Sequence, residues 1–243
     1  MAGGSYAALS GLRTRLEQLD RISADIANAH TAGYKTERVA TAESPRPDFG
    51  AVLQTAIDVS AAPGMIDFRN GSIENTGRDL DVALEGRGFF VVDTPNGPRY
   101  TRNGQFSRRS DGTLVTADGL EVQGDKGSIV IPAAGRVSIE SDGTIRGVDG
   151  AVAGKLKIVD FTDYITLRRE DGARFRPESS TAAPPAAATT TVRGGSLEGS
   201  NVTVAERMVQ MTEVSRAFEA LQRGVTTLMN DVDGRAIAEL GRR

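Results

Sequence analysis

Leu80-Asp81-Val82-Ala83-Leu84-Glu85-Gly86-Arg87-Gly88-Phe89-Phe90-Val91-Val92 holds two strand-like runs, Leu80 to Leu84 and Phe89 to Val92, parted by a Gly-Arg-Gly break. Here the hydrophobic period becomes two, the repeat of a chain whose successive side chains point to opposite faces. Similar runs follow at Leu114 to Thr116, Ile129 to Ile131, Val137 to Ile139 and Leu156 to Val159. Turn formers separate nearly all of them: Pro95-Asn96-Gly97-Pro98, Asp111-Gly112, Asp118-Gly119, Asp142-Gly143 and Asp149-Gly150. Such pairs tolerate the positive φ that hairpin turns require. The expectation is a mostly antiparallel β-domain over 71–178, either a sandwich or a partly closed barrel.

The period changes on both sides of this region. Upstream, Leu9, Leu12, Leu16, Leu19, Ser23 and Ile26 recur at steps of three and four, the narrow stripe of an amphipathic helix. That helix should run from Ser5 to about Ala29 and stop before Thr31-Ala32-Gly33, with Gly33 in the left-handed position past its end. Downstream, Met211, Val214, Phe218, Leu221, Val225, Leu228 and Val232 repeat the spacing on a helix from about Val202 to Leu240. Two long helices with narrow stripes are better buried by each other than by the β-domain. The expected fold class is therefore α+β, with N- and C-terminal helices pairing as a coiled-coil stalk, parallel or antiparallel. The alternative lays both helices on one face of the sheet. Ile22, Val209 and Ile237 would remain on exposed flanks of a stalk and call for neighbouring copies. The layout becomes an N-terminal helix within 1–35, an extended connector at 36–70 with an apolar patch at Val52, Leu53, Ile57 and Val59, the β-domain at 71–178, a Ser/Thr/Ala/Pro linker at 179–193, and a C-terminal helix within 194–243.

Composition excludes several classes of function. Lys plus Arg (29) nearly balance Asp plus Glu (32), a net charge of -3, so no basic field for nucleic acid exists. Arg108-Arg109 and Arg168-Arg169 lack the interleaved aromatics of a nucleic-acid groove. Zero cysteines remove disulfides and thiolate chemistry. His30 is the single histidine and has no partner for a metal site. Gly86-Arg87-Gly88 leads into a strand, whereas a phosphate-binding loop leads into a helix. Asp79 and Asp81 would share one strand face as solvated charges or partners of Arg78 or Arg87. No nucleophile has a base nearby, so neither cofactor nor enzymatic activity is expected. Met1 to Ala8 lacks a basic segment leading into an apolar one, and no run reaches about 18 apolar residues; neither a cleaved signal peptide nor membrane insertion is expected.

Three stretches resemble the flagellar rod and hook axial family. Ile26-Ala27-Asn28-Ala29-His30-Thr31-Ala32-Gly33-Tyr34-Lys35 is similar to its N-terminal signature, although Tyr34 stands where Phe is usual. Leu80 to Val92, continuing to Tyr100-Thr101-Arg102-Asn103-Gly104-Gln105-Phe106, looks like the start of its β-domain. Gly195-Ser196-Leu197-Glu198-Gly199-Ser200-Asn201-Val202 is similar to the turn that opens its C-terminal helix. Read physically, Ser200 or Asn201 caps that helix and Asn28 bonds backbone near the end of the first. The resemblance implies a structural subunit of the proximal-rod type, the distal-rod type and a soluble β-sheet binding module being the alternatives. It implies export through the flagellar export apparatus without a cleaved signal, and helical assembly with other rod subunits into a periplasmic drive shaft. The stripe residues, together with Asn28, would then form the assembly interface.

Overall fold

Phe89-Phe90-Val91-Val92 is buried at every position, so this strand has core on both of its faces. Phe90 and Val92 join a cluster with Val82, Leu84, Phe106, Ile145 and Val192, while Phe89 and Val91 join another with Tyr100, Leu167 and Phe175. A consecutive apolar run is what a strand needs when neither face meets water. The structure is a computed structural model and describes residues 2–39, 64–132, 136–147, 149–178, 184–187 and 190–240; the side chains of 2–9, 39 and 228–240 lie outside the described ones. The expected patch at Val52, Leu53, Ile57 and Val59 also lies outside the described residues. Two compact units result, one of 28–36 and 66–202, the other of 1–27, 37–65 and 203–243.

In the unit of 28–36 and 66–202 the described strands pair antiparallel, and one 3-10 turn, Tyr164–Thr166, precedes the strand at Leu167. Its nine-stranded sheet runs Leu167–Asp171, Arg174–Pro177, Gly97–Thr101, Phe89–Thr94, Glu121–Gly124, Leu114–Thr116 and Phe106–Arg108, with Gly127–Ser128 and Ile158–Val159 as side branches. A three-stranded sheet of Val137–Ile139, Thr144–Gly147 and Val152–Lys155 supplies Ile145 to the first cluster. Two ribbons complete the unit: Val82–Glu85 with Thr191–Gly194, and Ile73–Asn75 with Ser196–Glu198. The Gly86-Arg87-Gly88 break hands the chain from a ribbon to the large sheet.

Several strands carry no apolar alternation. Leu167–Asp171 and Arg174–Pro177 are rich in arginine, yet Leu167 and Phe175 are buried, and that single inward face is enough. Outer charges of Leu167–Asp171 are neutralised locally, Glu170 by Arg99 of the strand Gly97–Thr101 and Arg168 by Glu178. The described part of the Ser/Thr/Ala/Pro tract is tied to strand Ile158–Val159: Asp160 N–H donates to the Pro185 carbonyl at 3.0 Å, and Ala187 N–H to that of Ile158 at 3.0 Å. Proline is tolerated there because it offers only a carbonyl.

In the other unit, α1 (Ala2–Ala27) and α2 (Val204–Leu240) pack side by side. They run antiparallel, since Arg207 reaches Asp25 at 3.1 Å while Gly11 faces Leu221. Strands Glu37–Val39 and Gly64–Ile66 pair with each other. Ile22, expected on an exposed flank, is buried instead. It lies three residues before buried Asp25, on the same helical face. Among the described residues no helix is long and apolar enough to cross a membrane.

Two predictions follow from the β unit. A Cβ on Gly104 would stand 1.8 Å from the Val82 carbonyl oxygen, in the strand whose Val82 N–H donates to Gly104 at 3.0 Å. Gly104→Ala should therefore cost about 1–3 kcal/mol, read as a lower urea midpoint at unchanged slope. At the Asp142-Gly143 turn, the Thr144 N–H donates to Asp142 at 2.9 Å, as does its hydroxyl, and Lys155 lies 3.2 Å away. These bonds, the backbone one foremost, lower the Asp142 carboxyl from 3.8 to about 2. Their stabilisation is complete above the usual carboxylate range and disappears as pH falls through about 2. Carbon NMR of the Asp142 carboxyl should show that midpoint, and one near 4 would contradict the geometry.

Candidate functional site: helix stripes and a buried charge clasp

On α1, Leu12, Leu19 and Ile26 are half-buried and Leu16 is exposed; on α2, Val214, Phe218 and Val225 are half-buried, Met211 and Leu221 exposed. The side chains of Leu9, Leu228 and Val232 lie outside the described ones. Asn28 belongs to the other unit, where its side-chain oxygen accepts from the Thr31 hydroxyl at 3.1 Å. The stripes thus form a partly covered apolar surface, and Asn28 braces the turn after α1.

The more tightly constrained site lies in the β unit, where the stretch after that turn is buried from Gly33 to Thr36. Gly33 has φ +70°, as a residue past a helix end would. Because α1 stops at Ala27, however, Gly33 is too far along to cap it. Its need is close approach: a Cβ would stand 2.4 Å from backbone atoms of Arg102 and Asn103, and its N–H donates to the Glu198 carbonyl at 2.8 Å. Tyr34 is buried under the Arg169 guanidinium, 4.2 Å from the ring centroid. Arg169 also donates to the Lys35 carbonyl.

Lys35, Arg102 and Glu198 are buried together. The Lys35 ammonium donates to Glu198 Oε1 at 2.6 Å and to the Arg69 carbonyl at 2.8 Å. Arg102 donates to Glu198 Oε2 at 3.1 Å and to the Gly86 carbonyl at 2.6 Å. Gly71 N–H donates to Oε1 as well, at 3.1 Å. Burial pulls the Lys35 ammonium below the usual lysine range, and the Glu198 carboxylate opposes that pull. Charges so far from water persist only when paired and hydrogen-bonded.

Asn201 completes the clasp instead of capping α2. Its side-chain oxygen accepts from Thr36 N–H at 2.7 Å, and its amide donates to the carbonyls of Asp67 at 2.8 Å and Arg69 at 3.2 Å. Ser200 Oγ accepts from Val202 N–H at 3.2 Å, ahead of the helix start at Val204. Sequence reasoning overlooked Lys35, Arg102 and Glu198, although one lies in each of the three stretches that carried the resemblance. The other candidates stay apart. Asp79 is exposed, whereas Asp81 is buried, accepting from the Thr76 hydroxyl at 2.7 Å with Arg78 at 3.6 Å. His30 is exposed, and among the described residues no acidic or histidine group has the makings of a metal site.

Residues 83–147 match the model of the flagellar hook protein FlgE/F/G D1 domain, and 193–235 that of the flagellar basal body rod FlgEFG protein C-terminal region. The chain is 34% identical over 244 residues to the flagellar basal-body rod protein FlgF of Escherichia coli, covering 95% of each. The chain belongs to the flagellar basal-body rod protein family. FlgF of Rhizobium meliloti is 32% identical, with 99% of each chain covered, and the rod protein FlgG of Bacillus subtilis is 31% identical, with 91% of this chain and 93% of its own covered. Rod-family proteins are structural components, in keeping with a site built of ion pairs and backbone bonds.

Asn201→Ala removes the acceptor of one buried N–H and the donors of two carbonyls. It should lower the stability of the β unit by about 1–3 kcal/mol and leave the helical circular-dichroism signal unchanged. A loss of helix signal with unchanged stability would restore the capping role.

Proposed function

We propose that this chain is the proximal-rod type of subunit and joins copies of itself and other rod subunits through the outward residues of its two helices. The observation that carries this is the apolar surface left on them: Leu16 is 48% exposed, Met208 56%, Val209 60%, Met211 38% and Leu221 36%. Four of the five lie on α2 between Met208 and Leu221, and apolar residues so grouped mark a surface awaiting a partner. In this reading α1 and α2 pair as a coiled-coil stalk, and Leu12, Leu19 and Ile26 with Val214, Phe218 and Val225 make its seam. The stalk helices lie within 1–35 and 194–243, and the β-domain of 71–178 is extended by the ribbon strands Thr191–Gly194 and Ser196–Glu198. The subunit reaches a periplasmic rod through the flagellar export apparatus. The FlgF relatives support the proximal type, and the FlgG relative is what a distal type has in its favour.

Val209→Asp places a charge on the most exposed of these residues. It should leave urea stability within about 0.5 kcal/mol of the parent and abolish rod incorporation, scored by motility and by recovery of the subunit in purified basal bodies. Normal incorporation would sink the helix-surface reading.

A further inference from the structure

The clasp places one carboxylate between two cations. Lys35 and Arg102 each pair with Glu198, which among the described residues is the carboxylate within ion-pair reach of either. All three side chains are nearly or wholly out of water, and the Arg102 Nε is buried without a hydrogen-bond partner among the described residues. The cluster's own charges sum to one positive, and the Asp67 carboxylate, itself paired with Arg69, is the further anion acting on Lys35. Without Glu198, two like charges would remain buried side by side, which strongly disfavours keeping both cations in place.

We propose that Glu198 is the closing residue of a latch. Residues 33–36 seat in the β unit only when strand Ser196–Glu198 brings that carboxylate between Lys35 and Arg102. The backbone contacts agree, because three of them arrive with the same segment. Gly33 N–H donates to the Glu198 carbonyl, Thr36 N–H to the Asn201 side chain, and Asn201 N–H to the Tyr34 carbonyl at 3.3 Å. Arg169 and Asp67 also hold Tyr34 to Thr36, but Arg169 brings another cation and neutralises neither Lys35 nor Arg102. A chain is made from its N-terminus, so Lys35 and Arg102 exist before their shared anion. The N-terminal signature consequently stays unseated until the C-terminal one arrives. This inference is independent of whether the helices assemble into a rod.

The charge count makes the test asymmetric. Glu198→Gln leaves two unpaired cations, whereas Lys35→Met leaves the Arg102–Glu198 pair balanced. Amide hydrogen exchange on the full-length chain should show Gly33 and Thr36 exchanging about 100-fold faster or more in Glu198→Gln. Phe89 to Thr94 should stay protected there. In Lys35→Met the acceleration at Gly33 and Thr36 should be less than about 10-fold. Equal acceleration in the two variants, or protection retained in Glu198→Gln, would overturn the proposal. So would a Glu198→Gln chain that loses protection everywhere at once, since the carboxylate would then support the whole unit and not the seating of 33–36.

Discussion

The two oxygens of Glu198 take up Lys35, Arg102 and the Gly71 N–H, and the architecture of the β unit converges on them. Through Lys35 the carboxylate holds the segment that follows α1, and through Arg102 the turn after strand Gly97–Thr101. Its own backbone pairs with Ile73 and accepts from Gly33. Segments far apart in the chain meet at one buried charge. Such a charge tolerates only one arrangement of its partners, because each lost ion pair strands another charge in a medium that cannot solvate it.

Around that centre the apolar core sets the layers. Phe89–Thr94 is the strand that both clusters share, and the aromatic rings of Phe89, Phe68 and Phe175 meet edge to face at 5.1–5.8 Å. The Arg102 guanidinium lies 5.6 Å from the Phe89 ring centroid, so the clasp rests directly on this cluster. Packing and charge pairing reinforce each other there: the rings exclude water, which strengthens the ion pairs, and the ion pairs fix the segment against the rings. The helices follow a looser rule. Their facing stripes are partly half-buried, and large apolar side chains such as Met208 and Val209 are left outward.

Much of the fold was legible along the chain. The stripe spacings marked both helices, and the Asp-Gly and Pro-Asn-Gly pairs marked hairpin turns, since these signals are local. Leu114–Thr116 and Val137–Ile139 were located to the residue. Leu167–Asp171 and Arg174–Pro177 were invisible because one inward residue each, Leu167 and Phe175, replaces an alternating pattern. Gly33 and Asn201 were assigned helix-capping work by their residue types. Both serve a close approach between segments that are distant in sequence, and no local pattern records that.

Sequence alone determined the antiparallel β character of the middle, the amphipathic ends, the absence of thiol chemistry, and a resemblance carried by three short stretches. Tertiary structure decided what those stretches are for. Lys35, Arg102 and Glu198 read separately as ordinary charged residues, one in each stretch, and only the fold shows that they form a single buried cluster. The physical reason is that the cost of burying a charge depends on what surrounds it in space, and sequence order does not state which residues those are.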